Sequence, residues 1–314
     1  MSSAGVDAPA PAVTVPVTAD DVWASGLAGE DLRRAARTGS LVRVRRGAYV
    51  PAAMWAAADG AERYRLRVQA AARRMSAPVF SHESAAAMWR LPLLGGWPSD
   101  LHVVLPAAQG APSTRGVRRH RVAVFPDTAV VEGVAITEVG CTVVDLARSG
   151  SFARGLVLAD DALRRHGVDR HDLARLVSAA SRGRGVRAAR RVVEEADAAA
   201  ESPGESLSRA RMIELGLPRP VLQREVRDRH GLVGRVDFFW EELGVVGEFD
   251  GRLKYRASAD DDREAAEERL WREKRREDRI RRTGLRVVRW TWGDALEPTR
   301  LARVLASAGI RART

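Results

Sequence analysis

The run "GRVDFFWEELGVVGEFDG", Gly234 to Gly251, leaves this chain less choice of fold than any other stretch. Two segments rich in Val, Phe and Trp flank the polar turn "EELG", and four residues is a common hairpin loop. Turning there places Trp240 opposite Val245, Phe239 opposite Val246 and Phe238 opposite Gly247. Phe238, Phe239, Val245 and Val246 then make both faces of the hairpin apolar, as interior strands require. The same register sets Asp237 against Glu248, and like charges directly opposite each other destabilise a strand pair. A divalent cation would remove that repulsion, because Mg²⁺ is commonly held by one or two carboxylates with its other positions left to water and phosphate oxygens. That is the chemistry of metal-assisted phosphodiester hydrolysis, with Mg²⁺ or Mn²⁺ as the ion. Asp250 shares a face with Glu248 and lies opposite Arg235. Two roles stay open for it: an ion pair with Arg235, or a place in the acidic site.

This acidic pair stands in a basic chain. Of 314 residues, 52 are Lys or Arg against 41 Asp or Glu, a net charge of +11. Such a balance favours a polyanionic partner, DNA first, although a GC-rich genome also enriches Arg and Ala. The single cysteine, Cys141, excludes an internal disulfide framework and a Cys-based zinc site, which fits a reducing cytoplasm. The six histidines are scattered without metal-ligand spacing. His82 and His102 read as packed or solvent-facing, with no carboxylate or nucleophile partner in view. No apolar run approaches the roughly 20 residues of a membrane helix. The start "MSSAGVDAPAPAVTVPV" lacks the basic start and apolar core of a signal peptide. The expectation is a cytoplasmic protein with no membrane contact. A phosphate-binding NTPase or kinase is excluded, since no Gly-rich loop ends in Gly-Lys-Ser/Thr.

Residues 1–18 read as a flexible Ala/Pro tail. Residues 19–75 read as helix, Gly-containing turn, helix and a short basic hairpin from Leu41 to Val50, the plan of a winged helix-turn-helix. Arg43, Arg45 and Arg46 would sit on its wing within reach of phosphates, or form a solvated strand face. Residues 76–200 read as a small α+β and helical region, with Ser81 as the N-cap of "SHESAAAMWR". Pro203 and Gly204 punctuate the chain, and a domain boundary is expected near Glu201. Residues 201–314 then give a helix from about Gly204 to Gly216, hairpin strands, a charged helix from Asp260 to Thr283, the strand "LRVVRWTW" and a closing helix, an α/β layer arrangement. The charged helix starts acidic and ends basic, which complements its dipole. Lys274, Arg275, Arg276, Arg279, Arg281 and Arg282 exceed what the dipole needs and would line a groove tracking DNA phosphates. Arg289, between Val288 and Trp290, points towards the acidic site as a phosphate ligand. The tryptophans read as core rather than as base-stacking platforms.

The hairpin run, with "ESPGESLSR" before it and "EKRREDRIRRTGLRVVRWTW" after it, resembles the very-short-patch-repair-like branch of the PD-(D/E)XK nuclease superfamily, also known as the DUF559 domain. The resemblance covers about the last 110 residues. It implies a restriction-endonuclease-like α/β domain in which Asp237 and Glu248 are the metal ligands and Glu205, on the preceding helix, a third acidic group. A Lys commonly follows the Glu by two positions to place the attacking water. This chain has Asp250 there, and Lys254, four residues further on, is the substitute candidate. The segments "GSLVRVRRGAYV", "FSHESAAAMWRLPL" and "ITEVGCTVVDLARSG" resemble the AbiEi family of antitoxins of type IV toxin-antitoxin systems, which implies a DNA-binding winged helix and a partner toxin. Cys141 stands where that family commonly has Arg, so a function resting on that Arg does not transfer.

Two functions follow as expectations. One is a metal-dependent DNA endonuclease with an N-terminal DNA-binding module. The other is a non-catalytic DNA-binding regulator or antitoxin whose nuclease-like domain is a scaffold. Retention of Asp237, Glu248 and Glu205 favours the first, and Asp250 in place of Lys the second.

Overall fold

The computed structural model describes residues 17–18, 29–109, 112–180, 183–251 and 263–312. Among these the chain is a mixed α/β protein with three sheets. It divides into two compact units, one ending at Glu138 and the other running from Val139 onward and including Leu91–Gly95. No helix among the described residues is long and apolar enough to cross a membrane.

The first unit contains strand β1 (Val17–Thr18), helix α1 (Gly29–Arg37) and the hairpin of β2 (Leu41–Arg45) and β3 (Ala48–Pro51). The three strands form one sheet in the order β1-β3-β2. The reading of residues 17 and 18 as the end of a tail is corrected here. Their backbone pairs with Tyr49 and Ala48, because β3 otherwise presents an open edge. The first helix of the expected pair lies outside the described residues. The basic hairpin turns at Arg46 and Gly47, with Gly47 at φ +75, a conformation glycine adopts without strain.

Helices α2 (Ala52–Ala57) and α3 (Gly60–Ala72) follow, and the Asp59 carboxylate caps α3 by accepting the Glu62 amide at 2.8 Å. Then come β4 (Val79–Phe80), α4 (His82–Met88), β5 (Leu101–Pro106), β6 (Val117–Val122), β7 (Thr128–Val131) and β8 (Val134–Thr137). These strands make a mixed sheet, order β6-β5-β4-β8-β7, over a core that includes Tyr64, Phe80, Met88, Leu101 and Ile136. Ser81 occupies the expected N-cap position, but its hydroxyl meets His82 Nδ1 at 3.1 Å rather than a helix amide.

The second unit begins with α5 (Val139–Ser149), α6 (Phe152–Arg165), α7 (Arg170–Ala179) and α8 (Val186–Glu195). Helix α9 (Pro203–Glu214) starts at Ser202, whose hydroxyl accepts the Glu205 amide at 3.2 Å, with Pro203 in the first turn. Strands β9 (Val221–Asp228), β10 (Gly231–Trp240) and β11 (Val245–Asp250) precede helix α10 (Arg263–Arg282), strand β12 (Arg286–Thr291) and helices α11 (Trp292–Leu296) and α12 (Pro298–Ser307). The sheet order is β12-β11-β10-β9, antiparallel except for the parallel pair β11 and β12.

The hairpin register is the expected one: Trp240 pairs with Val245, Phe239 with Val246 and Phe238 with Gly247. The loop is a single 3-10 turn over Glu241–Leu243, closed by Gly244 at φ +56. Trp240 and Trp290 are buried, whereas Trp271 on α10 is 64% exposed and departs from the core expectation. Two glycines fix how closely the layers meet. A Cβ on Gly247 would stand 2.7 Å from Trp290 and 2.9 Å from Trp240, and one on Gly204 would stand 1.9 Å from the Phe249 ring.

The expected boundary near Glu201 does not coincide with the division at Glu138 and Val139. Within the second unit a buried ion pair spans that point: Arg209 on α9 reaches both Asp160 oxygens on α6, at 2.7 and 2.8 Å. A charge so deeply buried needs its partner, so α6 and α9 belong to one unit.

Candidate functional site

The candidate site lies where β10, β11 and β12 meet the first turn of α9 and the second half of α10. Gly204 lets α9 settle on Phe249, and so brings Glu205 to Asp237. The Asp237 Oδ2 accepts the Phe249 amide at 2.8 Å, so its carboxylate bridges to the next strand instead of facing Glu248 bare. Glu205 is buried and fully engaged: its oxygens accept the Glu201 amide at 2.9 Å, the Ser202 hydroxyl at 2.7 Å and the Gln223 side-chain amide at 2.9 Å.

Glu248, 9% exposed, stands in register with Arg289 of β12. Its oxygens meet two guanidinium groups, Arg276 Nη1 at 2.8 Å and Arg289 Nη2 at 2.7 Å. Arg289 is held from its other side by Glu273 at 2.6 Å and Glu277 at 3.1 Å. Arg276 also donates to the Arg235 carbonyl at 2.6 Å. Asp237, Glu248, Asp250, Glu273, Arg276 and Arg289 line a cleft of about 400 Å³.

The electrostatics separate the two carboxylates. Burial pushes the Asp237 carboxyl up to about 6, the nearby Glu205 charge adds to it, and the Phe249 amide and Arg276 offset part of the rise. Burial also raises Glu248, but Arg276 and Arg289 oppose that rise. The donors at Asp237, Glu205 and Glu248 are all carboxylate oxygens, the set a hard cation such as Mg²⁺ prefers. A cation beside Asp237 would relieve its repulsion from Glu205, but to reach Glu248 it has to displace Arg276 or Arg289 from that carboxylate.

The structure brings Asp237, Glu248, Glu205, Asp250, Arg276 and Arg289 together. Lys254 lies outside the described residues. Arg235 is bound to Glu201, and its neighbour on β9 is Glu225. Arg279 is drawn away from any groove by Asp228, with contacts of 2.8 and 2.9 Å that hold the Asp228 carboxyl down at about 2. Lys274 sits over the Trp271 ring, 5.5 Å from its centroid, and Arg275 is exposed. In the first unit Arg43 and Arg46 are exposed, while Arg45 is half-buried beside Arg67.

Sequence reasoning missed Glu273 and Glu277. Their signal was present, since residues 273, 276 and 277 fall on one face of a helix. It also missed the histidines. His102 Nδ1 lies 3.2 Å from Glu83 and 3.1 Å from His120 Nε2, which corrects both the scattered reading and the absence of a carboxylate partner. Strand register brings these residues together, and linear spacing does not reveal it.

No family model matches this chain. It is 32% identical over 184 residues to the uncharacterized proteins MT2308 and Rv2248 of Mycobacterium tuberculosis, strains CDC 1551 / Oshkosh and ATCC 25618 / H37Rv. The match takes in 58% of this chain and 65% of each relative, slightly less than two thirds of their length. Among solved structures, the Rv2827c protein of Mycobacterium tuberculosis aligns with a TM-score of 0.36 at 19% identity, over 68% of this chain and 84% of that one.

Proposed function

We propose that the second unit is a metal-dependent nuclease acting on DNA, of the very-short-patch-repair-like kind that its hairpin run resembles. The observation that carries this reading is the cleft in which carboxylates and guanidinium groups converge on one end of the sheet. Asp237, Glu248 and Glu205 would hold Mg²⁺, which when bound supplies Lewis-acid polarisation of a phosphoryl oxygen and a more acidic water. Arg289 and Arg276 take the phosphate. A guanidinium fork matches two phosphate oxygens as well as it matches a carboxylate, and Glu273 and Glu277 keep Arg289 in place when it releases Glu248. The Phe249 amide fixes the orientation of Asp237. The basic balance of the chain, with exposed Arg275 on α10 and Arg43 and Arg46 on the first hairpin, supplies the attraction to the backbone of DNA.

A second reading has one observation in its favour. Both Glu248 oxygens are already met by arginines, which suits a scaffold as well as a catalyst. In that case the protein is a DNA-binding regulator of the AbiEi antitoxin type with a toxin as its partner. The deciding experiment is cleavage of supercoiled plasmid and single-stranded DNA with Mg²⁺, Mn²⁺ or chelator, comparing the wild type with Asp237→Asn and Glu248→Gln. Metal-dependent nicking that disappears in both variants is the expected result. Salt-sensitive DNA binding by all three forms, with no nicking by any, would replace the enzyme with the regulator.

A further inference from the structure

Away from the acidic cleft, three imidazoles converge on the sheet of the first unit. His102 of β5 and His120 of β6 are diagonal neighbours on parallel strands, His102 in register with Arg118 and His120 with Val104. His82 opens α4 one residue beyond Ser81, whose amide donates to the His102 carbonyl at 3.0 Å. The His82 backbone has φ +49, an uncommon conformation for a residue other than Gly and one that persists where the surroundings hold it. Its ring stacks on that of His120 with centroids 3.7 Å apart. One nitrogen from each of the three rings lies within 4.8 Å of the other two.

We propose that His82, His102 and His120 bind a first-row transition-metal ion, Zn²⁺ foremost, with Glu83 as the carboxylate beside it. The distances carry the argument. Tetrahedral zinc with Zn–N bonds of about 2.0–2.1 Å keeps its ligand atoms about 3.3 Å apart. His120 Nε2 is 3.1 Å from His102 Nδ1, and Glu83 Oε2 is 3.2 Å from the same nitrogen, so both separations match a ligand edge. For His82 to join them its ring has to turn out of the stack on His120. Three imidazoles with an adjacent carboxylate select zinc and its transition-metal neighbours over Mg²⁺, which prefers oxygen donors. The ion would pin β5 and β6 to the junction of β4 and α4. This site is independent of the acidic cleft in residues and in donor type.

The test is titration of the untagged, chelator-stripped full chain with Zn²⁺ by calorimetry, and with Co²⁺ by visible absorption. The expected result is one ion per chain at this site, with the absorption of an imidazole-bound Co²⁺. Asp237→Asn should leave that binding unchanged. Glu83→Gln should weaken it about 10–100-fold, and His120→Gln should abolish it. His82→Asn keeps a residue type that tolerates positive φ and so separates lost ligation from lost folding. No binding by the wild type, or binding that survives both His120→Gln and His82→Asn in folded protein, would overturn the assignment.

Discussion

At the scale of single residues, Asp237 holds its charge in an unfavourable environment. Its carboxyl rises from an ordinary value of 3.8 to about 6, first through burial and then through Glu205. A folded-state value above the unfolded one means that the native state holds its proton more tightly. The associated stability is complete below about pH 4 and is lost as pH rises through about 6. At pH 7 the charged, partly buried Asp237 therefore costs the fold about 2 kcal/mol. Asp237→Asn keeps an oxygen to accept the Phe249 amide and removes the charge. In chelator, urea unfolding should find the variant more stable by about 2 kcal/mol at pH 7.5, with the gap closing towards pH 4. Equal stabilities at both pH values would show that Asp237 ionises there without cost. The same substitution should eliminate the proposed cleavage, the usual exchange of activity for stability at a strained site.

At the scale of elements, the hairpin was legible because two local signals agree: apolar residues on both faces and a turn of common length. That agreement sets the pairing of Phe238 with Gly247. The partner of Glu248 was less legible. Arg289 read as pointing to the site, but its parallel register with Glu248 joins segments separated by a whole helix, and strand periodicity carries no information about such pairings. Nor does sequence show what Gly204 does. With a Cβ there only 1.9 Å from the Phe249 ring, either that ring or α9, with Glu205 on it, must shift. Gly204→Ala should cost about 2 kcal/mol or more by overpacking, and Phe249→Ala about 3 kcal/mol by leaving a cavity. Because the second change makes room for the first, the double variant should lose at least about 1 kcal/mol less than the sum. Denaturant midpoints of the four proteins test this, and strict additivity would separate Gly204 from Phe249.

At the scale of the whole molecule, composition shifts mark where a chain bends or loosens, and they say little about which helices share a core. Pro203 and Gly204 begin a helix that is bound to the segment before it. The buried Asp160 carboxylate receives Arg209 and also the Asp197 amide at 2.8 Å, so the second half of the chain is tied back to α6. A fragment cut at residue 201 keeps Arg209 but loses Asp160 and the Glu195 carbonyl that bind it, leaving the guanidinium to water. It also exposes the face of α9 that α6 covers, so its loss exceeds the ion pair alone. A fragment starting at Val139 keeps both, along with the core residues Leu156 and Leu158. The expectation is that residues 139–314 unfold cooperatively in urea as an isolated fragment, whereas residues 201–314 do not. Asp160→Asn in the full chain should reproduce part of the defect, about 3 kcal/mol, without touching the acidic cleft. A cooperative, stable fragment 201–314 would show that the ion pair joins two folding units and does not complete one.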